Sequence, residues 1–483
     1  MKEKAPVSNG SRATGVFLFI FGSFFWGMGA LGLFSVINGE SNKDNPVVGM
    51  MVGGLFILVG LGISIAGILT FRGAGKKTAL AKQYPGQPWM LRKDWASGRI
   101  KDSNLTAAIV ISCFALFWNG IAWTVTIGIL MQGELGKEPA AYFVLLFPLV
   151  GIGLAWAAIY QFSRYRKFGT SIFELAENPG VIGGNLGGVI LTKVNIKPQD
   201  GFKLSLRCIH KWTTGSGKNS STHTETLWES EQVLHEDAMA DDLTRSALPV
   251  LFFIPYECKE TERLSSRAEI YWELTAKASL PGTDYKAEFR VPVFQTEASD
   301  PNATAESVEA ANQGTGTVAP LPALSEIKGL TVRKDFSGGE LLEFRAGRNM
   351  LFLTIPIVMG IGFAVGGYFI WSKTDAPFIF GIAFGGVGLL VAVISAVSLF
   401  TYARLLLFRD RIELETRLFG RVKKRNIPRD QITDIEAHQG MSSNNTVYYN
   451  ITFHTADGQS IKAPTLIKGR REIDALIAYL KKP

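Results

Sequence analysis

Six stretches of this chain are apolar without a break. Each is long enough to cross the roughly 30 Å hydrocarbon layer of a bilayer as a helix of about 20 residues. They run near Gly15 to Ile37, Val47 to Phe71, Thr106 to Met131, Ala141 to Phe162, Met350 to Trp371 and Pro377 to Phe400, and none holds an Asp, Glu, Lys, Arg or His. The first reads as a retained span and not a cleavable signal peptide: its apolar run is too long, and no small-x-small site precedes Asn38-Gly-Glu40.

Between the fourth and fifth stretches the pattern turns to alternation. Phe202, Leu204, Leu206 and Cys208 share one parity, as do Ile270, Trp272, Leu274, Ala276 and Ala278, and then Tyr285, Ala287, Phe289, Val291 and Val293. A period of two predicts half-buried strands. With turns at Pro198-Gln-Asp-Gly201 and Pro281-Gly282 and the apolar run Leu248-Pro-Val-Leu-Phe-Phe-Ile254, residues 168–295 predict an antiparallel β-sandwich. Residues 296–327 are acidic, hold no Lys or Arg, and are rich in Ala, Thr, Ser, Pro and Gly, which predicts a flexible linker. Residues 328–349, with Ser337-Gly-Gly339 at their centre, predict a hairpin beside the membrane.

After the two-span segment 350–401, short alternating runs return at Leu405 to Phe408, Arg411 to Thr416, Gln431 to Ala437, Tyr448 to His454 and near Ile461. A helix follows from about Arg470 to Leu480, its apolar face made by Ile473, Leu476, Ile477 and Leu480. The fold class is therefore an α-helical integral membrane protein of six spans, with four of them in residues 1–167. It carries an all-β sandwich and a small C-terminal α+β domain over 402–483.

Charge orients the chain. The segment 72–105 holds Arg72, Lys76, Lys77, Lys82, Arg92, Lys93, Arg99 and Lys101 against Asp94 and Asp102. The connections near 38–46, 132–140 and 372–376 are short and carry no basic excess. Basic clusters also follow the fourth and sixth spans and precede the first, so the positive-inside rule places both termini, the 72–105 loop and both β units in the cytoplasm.

That loop contains Pro88-Trp-Met-Leu-Arg-Lys-Asp-Trp-Ala-Ser-Gly98. Trp89 and Trp95 are predicted at the headgroup layer, with Arg92, Lys93 and Arg99 reaching toward lipid phosphates. The same residues read either as recognition of anionic lipid or as a topology determinant with aromatic anchors. The pattern Pro-Trp-x-x-Arg-x-Asp-Trp-Ala, with Leu227-Trp-Glu229 and Tyr285-Lys-Ala-Glu-Phe-Arg-Val-Pro-Val-Phe294, resembles a group of uncharacterised multi-pass bacterial membrane proteins, a domain-of-unknown-function family. The resemblance implies architecture and a bacterial inner-membrane location, and no activity. The strand order of the middle region is similar to arrestin-like sandwiches, which implies a binding module. The C-terminal strands and helix, with Ile427-Pro-Arg-Asp-Gln-Ile432, resemble bacterial pleckstrin-homology-like domains fused to membrane helices.

Glycine spacing suggests how the spans pack. Gly53, Gly60 and Gly67 recur every seven residues, and Gly362 with Gly366 and Gly381 with Gly385 are four apart, spacings that let helix backbones approach closely. Pro356 reads as a packed kink and Asn119 as a helix-to-helix hydrogen bond. Ion-coupled transport normally keeps ionisable groups at membrane depth, and these spans keep none.

Catalytic chemistry finds little support in the sequence. Gly215-Ser-Gly-Lys-Asn219 lacks the first glycine and the final Ser or Thr of a phosphate-cradling loop. His223-Thr-Glu225 has no downstream Pro-Cys-x-x-Cys, Cys113, Cys208 and Cys258 are scattered, and His210 reads as a core-edge residue. No catalytic, cofactor-binding or metal residue is predicted. The tail holds 15 Lys or Arg against 9 acids, densest at Arg421-Val-Lys-Lys-Arg425. Without stacking aromatics or a reader motif this does not point to nucleic acid, and a strand facing the anionic leaflet, or a plain solvated strand, accounts for it. The expected partners are the lipid bilayer and a cytoplasmic or membrane protein. The expected role is a membrane-anchored binding or scaffold protein, with a transporter or lipid-handling subunit, or an enzyme with an unrecognised site, as the other classes.

Overall fold

A computed structural model describes the chain except for residues 1–7, 40–45, 132–143, 216–219, 235–244, 266, 304–320, 335–337, 345–349, 374–377, 401, 419–420, 444–445 and 482–483. The phosphate-loop lookalike at 216–219, most of the connections near 38–46 and 132–140, and much of the linker lie outside the described residues. The chain forms two compact units, residues 1–318 and 319–483.

In the first unit, α1 (Ser8–Ile37) and α2 (Pro46–Gln83) form an antiparallel pair, as do α4 (Asn104–Met131) and α5 (Leu146–Phe168), with the short α3 (Lys93–Ala96) between the pairs. Four helical segments, Arg12–Ile37, Val52–Gly73, Asn104–Met131 and Leu146–Phe168, are long and apolar enough to cross a membrane. Their outer surfaces are unsuited to water: Leu58 is 71% exposed, and Leu116 and Trp156 are 73% exposed. Such a continuous apolar belt fits the inside of a bilayer.

Glycine sets the α1–α2 contact. A Cβ on Gly60 would lie 2.3 Å from the backbone nitrogen of Trp26 and 2.7 Å from the carbonyl of Gly22, and one on Gly67 would lie 2.7 Å from the carbonyl of Gly15. Gly53 faces Gly29 in the same way, at 3.0 Å. Two heptad rows, Gly15-Gly22-Gly29 and Gly53-Gly60-Gly67, thus oppose each other in antiparallel register. Between α4 and α5 the bond is polar instead: Asn119 Nδ2 donates to the carbonyl of Gly151 at 2.8 Å, and Trp118 Nε1 to that of Phe147 at 2.9 Å.

The sandwich comprises one sheet ordered β1 (Arg99–Lys101), β2 (Ile172–Leu175), β4 (Gly184–Leu191), β7 (Ala247–Ile254), and a second ordered β6 (Ser221–Leu234), β5 (Phe202–Thr214), β8 (Ala268–Ala278), β9 (Tyr285–Val291). A parallel pair, β3 (Gly180–Val181) with β10 (Val293–Phe294), completes it. Phe173, Leu186, Ile190, Leu204, Leu206, Trp272, Leu274 and Phe289 are wholly buried between the sheets. The sandwich begins well before residue 168, since β1 belongs to the 72–105 loop. Ile100 pairs with Phe173, so the strand entering α4 hydrogen-bonds to the strand leaving α5.

The second unit repeats this construction. One sheet runs β11 (Leu330–Lys334), β12 (Glu340–Phe344), β13 (Tyr402–Leu407), β14 (Arg411–Leu418), β15 (Arg421–Pro428), and another runs β16 (Ile432–Ser443), β17 (Thr446–Thr455), β18 (Ser460–Lys468). The apolar helices α6 (Met350–Lys373) and α7 (Phe378–Phe400) are inserted between β12 and β13, which pair from Phe344 with Ala403 to Glu340 with Leu407. The region 328–349 is therefore no separate hairpin; Leu342 and Phe344 are buried in one core with Leu405, Leu414, Phe453 and the α8 (Arg470–Leu480) residues Ile473 and Leu476.

Both ends of the 296–327 segment are built into the folded units among the described residues. At its start, Asp300 N donates to the carbonyl of Gly183, and near its end Ile327 is buried in the C-terminal core. Two apolar anchors, Leu324 and Ile327, offset the ordering entropy that the polar residues leave uncompensated.

In α6 the tight positions differ from the expected pair. A Cβ on Gly362 would meet nothing within 4 Å, whereas Gly360 and Gly367 lie against Gly388 and Gly385 of α7, and Gly381 lies against Trp371 and Gly367. Gly366 is buried beside Gly367. Spacing by four identified candidate positions, but the helix's rotation about its axis, fixed by Gly360 and Gly367, decides which of them meet the neighbour.

The Gly60 contact makes a direct prediction. Gly60→Ala forces the α1 backbone to shift and is expected to cost about 1–3 kcal/mol, lowering the thermal midpoint of the detergent-solubilised protein. Gly62→Ala, whose Cβ meets nothing within 4 Å, should leave it unchanged or slightly higher. Equal midpoints for the two variants would show that the close approach does not hold the pair together.

Candidate functional site at the junction of helices and sandwich

Of the five residues expected at the headgroup layer, the two tryptophans are placed otherwise. Trp95 is 7% exposed in the sandwich core, and Trp89 packs half-buried against Phe294 with ring centroids 5.3 Å apart. A buried indole needs a partner for its N–H. Trp95 Nε1 donates to the carbonyl of Arg290 at 2.7 Å, and the Trp95 carbonyl accepts from Asn178 Nδ2 at 2.5 Å. Both tryptophans thus pack the loop against the β domain.

The basic residues of the motif remain outside. Arg92 lies over the Trp95 ring at 4.2 Å and forms an ion pair with Asp94 at 2.6 Å. Its stacking favours the guanidinium at this position. Arg99 is exposed and pairs with Glu174 on the neighbouring strand at 2.8 Å, and Lys93 is exposed. Structure brings the two tryptophans and Arg92 together and leaves Lys93 and Arg99 on the surface.

Beside this anchor lies a buried polar cluster that sequence reasoning missed. Asp102, between β1 and α4, is 8% exposed, and its Oδ2 accepts from Asn104 Nδ2 at 2.7 Å and from the Ser171 amide at 3.2 Å. Asn104 also donates to the carbonyl of Lys286 at 2.7 Å and accepts from Arg164 Nη2 of α5 at 2.8 Å. Ser171 Oγ lies 2.8 Å from the hydroxyl of Tyr285, which burial pushes up from its ordinary pKa. Four segments therefore meet: the start of α4, the end of α5, β2 and β9. Only the charges in the 99–105 and 164–167 segments hinted at this, and neither carries a motif.

Two further contacts lock α5 to the sandwich. Phe168, its last residue, is buried edge-on against Tyr285 at 5.4 Å, and Lys167 Nζ reaches the carbonyls of Pro281 and Thr283, both at 3.2 Å. A basic residue in the last helical turn also complements the helix dipole. The helix pair is thereby continuous with the β domain.

Elsewhere in the sandwich, Cys208 and Cys258 have thiols that burial pushes up to about 12, the behaviour of packed and not nucleophilic cysteines. His210 is half-buried and stacks on Trp212 at 4.6 Å, and His223 also stacks with that ring at 5.4 Å. Among the described residues no group of three or more His, Cys, Asp or Glu is placed to hold a metal ion.

Fold and junction define a protein with four membrane-competent helices fused without a joint to a β-sandwich, and a second β unit built around its own apolar helix pair. No family model and no curated protein matches the sequence. Among solved structures, the chain is similar to Spo0M, a sporulation control protein from Bacillus subtilis, at 9% identity and a TM-score of 0.19, over 54% of this chain and 90% of that one. A likeness at that score carries no argument about this chain.

The cluster yields two predictions. Burial raises the Asp102 pKa, the nearby hydrogen bonds and Arg164 only partly opposing it. A carboxyl whose folded pKa lies above its unfolded value favours the folded state most below the unfolded pKa, and that contribution is lost as pH rises through the folded pKa. Asp102 Oδ1 has no hydrogen-bond partner among the described residues, so Asp102→Asn can keep both bonds accepted by Oδ2 while removing the buried charge. Its thermal midpoint should equal or exceed wild type at pH 7, the gap closing as pH falls toward 4; a gap that widens on acidification would refute the assignment. Trp95→Ala is expected to cost about 3–5 kcal/mol, read as increased proteolysis of the 84–101 segment in detergent, with Trp95→Phe intermediate.

Proposed function

We propose that this is a six-span protein of the bacterial inner membrane whose two β units form cytoplasmic binding surfaces, a membrane-anchored scaffold and not a catalyst. The observation that supports it best is the pairing of β1 with β2 across α4–α5 and of β12 with β13 across α6–α7. In each case the chain leaves a β domain, makes an apolar helical hairpin, and returns to the strand beside the one it left.

Paired strands lie about 4.8 Å apart, so each intervening hairpin crosses the bilayer an even number of times. The basic 72–105 segment, whose β1 is part of the first sandwich, favours the cytoplasm as the side of that sandwich. Rigid docking of the sandwich through Trp95, Asp102, Asn104 and Phe168 suits a module that holds a partner at fixed height above the membrane. The absence of acidic or basic side chains from the six apolar stretches favours anchoring over ion-coupled transport.

Topology and role are tested separately. With Cys113, Cys208 and Cys258 replaced by alanine, single cysteines at Lys211→Cys in the sandwich and Gln459→Cys in the C-terminal unit should react with an impermeant maleimide only in inside-out vesicles. Labelling of either from the outer face would overturn the arrangement. Crosslinking through surface lysines in native membranes, followed by mass spectrometry, should join the sandwich to a second polypeptide species; a yield of intramolecular crosslinks alone would count against the binding role.

A further inference from the structure

The C-terminal unit contains a cleft of about 660 Å³ between β15 and the β17–β18 face, lined by Arg421, Lys423, Arg425 and Lys462, with Asn450 and Ser460 as neutral polar groups. Leu414, Val422 and Pro464 supply an apolar side. No Asp or Glu lines it.

The pattern along β15 is unusual. Arg421, Lys423 and Arg425 occupy the alternate positions that end in Ile427, which is 1% exposed in the core. They pair across the strand with Leu418, Thr416 and Leu414. A sandwich strand normally continues such a row with apolar residues. Here three cations take it, and no salt bridge to an acid is formed by them among the described residues. Lys424, of the opposite parity, behaves differently: it pairs with Glu415 at 2.5 Å, and Arg417 shares that carboxylate at 3.6 Å. Cations on one face are neutralised within the protein, while those lining the cleft are left to a ligand.

Register fixes the height of the cleft. Arg417 pairs with Tyr402, two residues beyond the end of α7, and Leu418 pairs with Arg421. Arg421 therefore lies level with the helix end. Arg425, opposite Leu414 and hence Leu405, stands about 13 Å further along the strand at 3.3 Å per residue. The polar layer of a bilayer leaflet is roughly 5–8 Å deep, so Arg421 and Lys423, about 7 Å apart along the strand, fall within such an interval, and Arg425 stands beyond it by about the length of its own side chain.

We propose that this cleft is an anion site for a phosphate group, supplied by the headgroup of an anionic lipid in the leaflet beside α7. The proposal rests on the membrane-spanning reading of α6 and α7 for the source of the phosphate, and on the cleft alone for its chemistry. Guanidinium forks at Arg421 and Arg425 match phosphate oxygens in pairs, and the Leu414 side accepts the first glycerol carbons.

The test uses the full chain in neutral detergent, titrated with dioctanoyl phosphatidylglycerol, dioctanoyl phosphatidylcholine or inorganic phosphate, with bound adducts counted by native mass spectrometry. Phosphatidylglycerol should bind in preference to phosphatidylcholine. Lys423→Gln with Arg425→Gln should weaken it roughly thirtyfold, Arg421→Gln alone should weaken it less, and Lys424→Gln should not change it. Thermal midpoints identify any variant that fails to fold, in which case the remaining one carries the comparison. Unchanged lipid binding in folded variants would overturn the proposal and leave the cations as guards of an exposed edge strand. Inorganic phosphate that binds with the same dependence on these residues, while phosphatidylglycerol fails to compete, would overturn the lipid assignment in favour of a soluble anion. Because the titration needs no bilayer, it reads the cleft independently of the vesicle labelling that reads the topology.

Discussion

Hydrogen bonding between strands that flank an apolar helical hairpin is the constraint on which this architecture depends. Ile100 and Phe173 sit opposite each other although α4 and α5 separate them in sequence, and Phe344 and Ala403 do so across α6 and α7. An odd number of crossings would separate such partners by the roughly 30 Å of the hydrocarbon layer. The pairing is thus a topological statement as well as a source of stability, and it removes the flexible tether by which many soluble domains hang from membrane helices.

Fusing a helix end to a β core brings polar groups into a dry place, and the junction shows how that cost is met. Asp102, Asn104, Arg164, Ser171 and Tyr285 hydrogen-bond to one another across four segments, with Asp102 Oδ1 left over among the described residues. Buried polar groups without partners cost about 1–3 kcal/mol each, so the cluster tolerates little rearrangement and specifies one docking geometry. Trp95 adds apolar area with a single directional bond to Arg290. Together these make the helix pair and sandwich one mechanical body.

For helices whose outer faces suit a bilayer the problem is reversed, because apolar side chains would gain nothing by leaving lipid for protein. Close backbone approach takes over. The heptad rows Gly15-Gly22-Gly29 and Gly53-Gly60-Gly67 meet in antiparallel register, and Gly360 with Gly388 and Gly367 with Gly381 repeat the arrangement in the second unit. Asn119 does with hydrogen bonds between α4 and α5 what glycine does in the other pairs.

Local chemistry was enough to reveal the long apolar helices, the strands with clean alternation such as β5, β8 and β9, and the amphipathic α8. Length, period and the absence of charge are properties of single segments, and neighbouring residues report them. β6 escaped because Ser221-Thr-His-Thr-Glu-Thr carries little apolar alternation on a sheet edge, and β1 because three residues have no period to read. The fate of Trp89 and Trp95 was likewise undetermined: an amphipathic ring suits a headgroup layer and a domain core equally, and only the presence of Phe294 and the Arg290 carbonyl decided between them. Which glycines touch, which strands flank a hairpin and which cations remain unpaired depend on residues dozens to hundreds of positions apart. Those are facts of rotation, register and proximity that tertiary structure alone supplied.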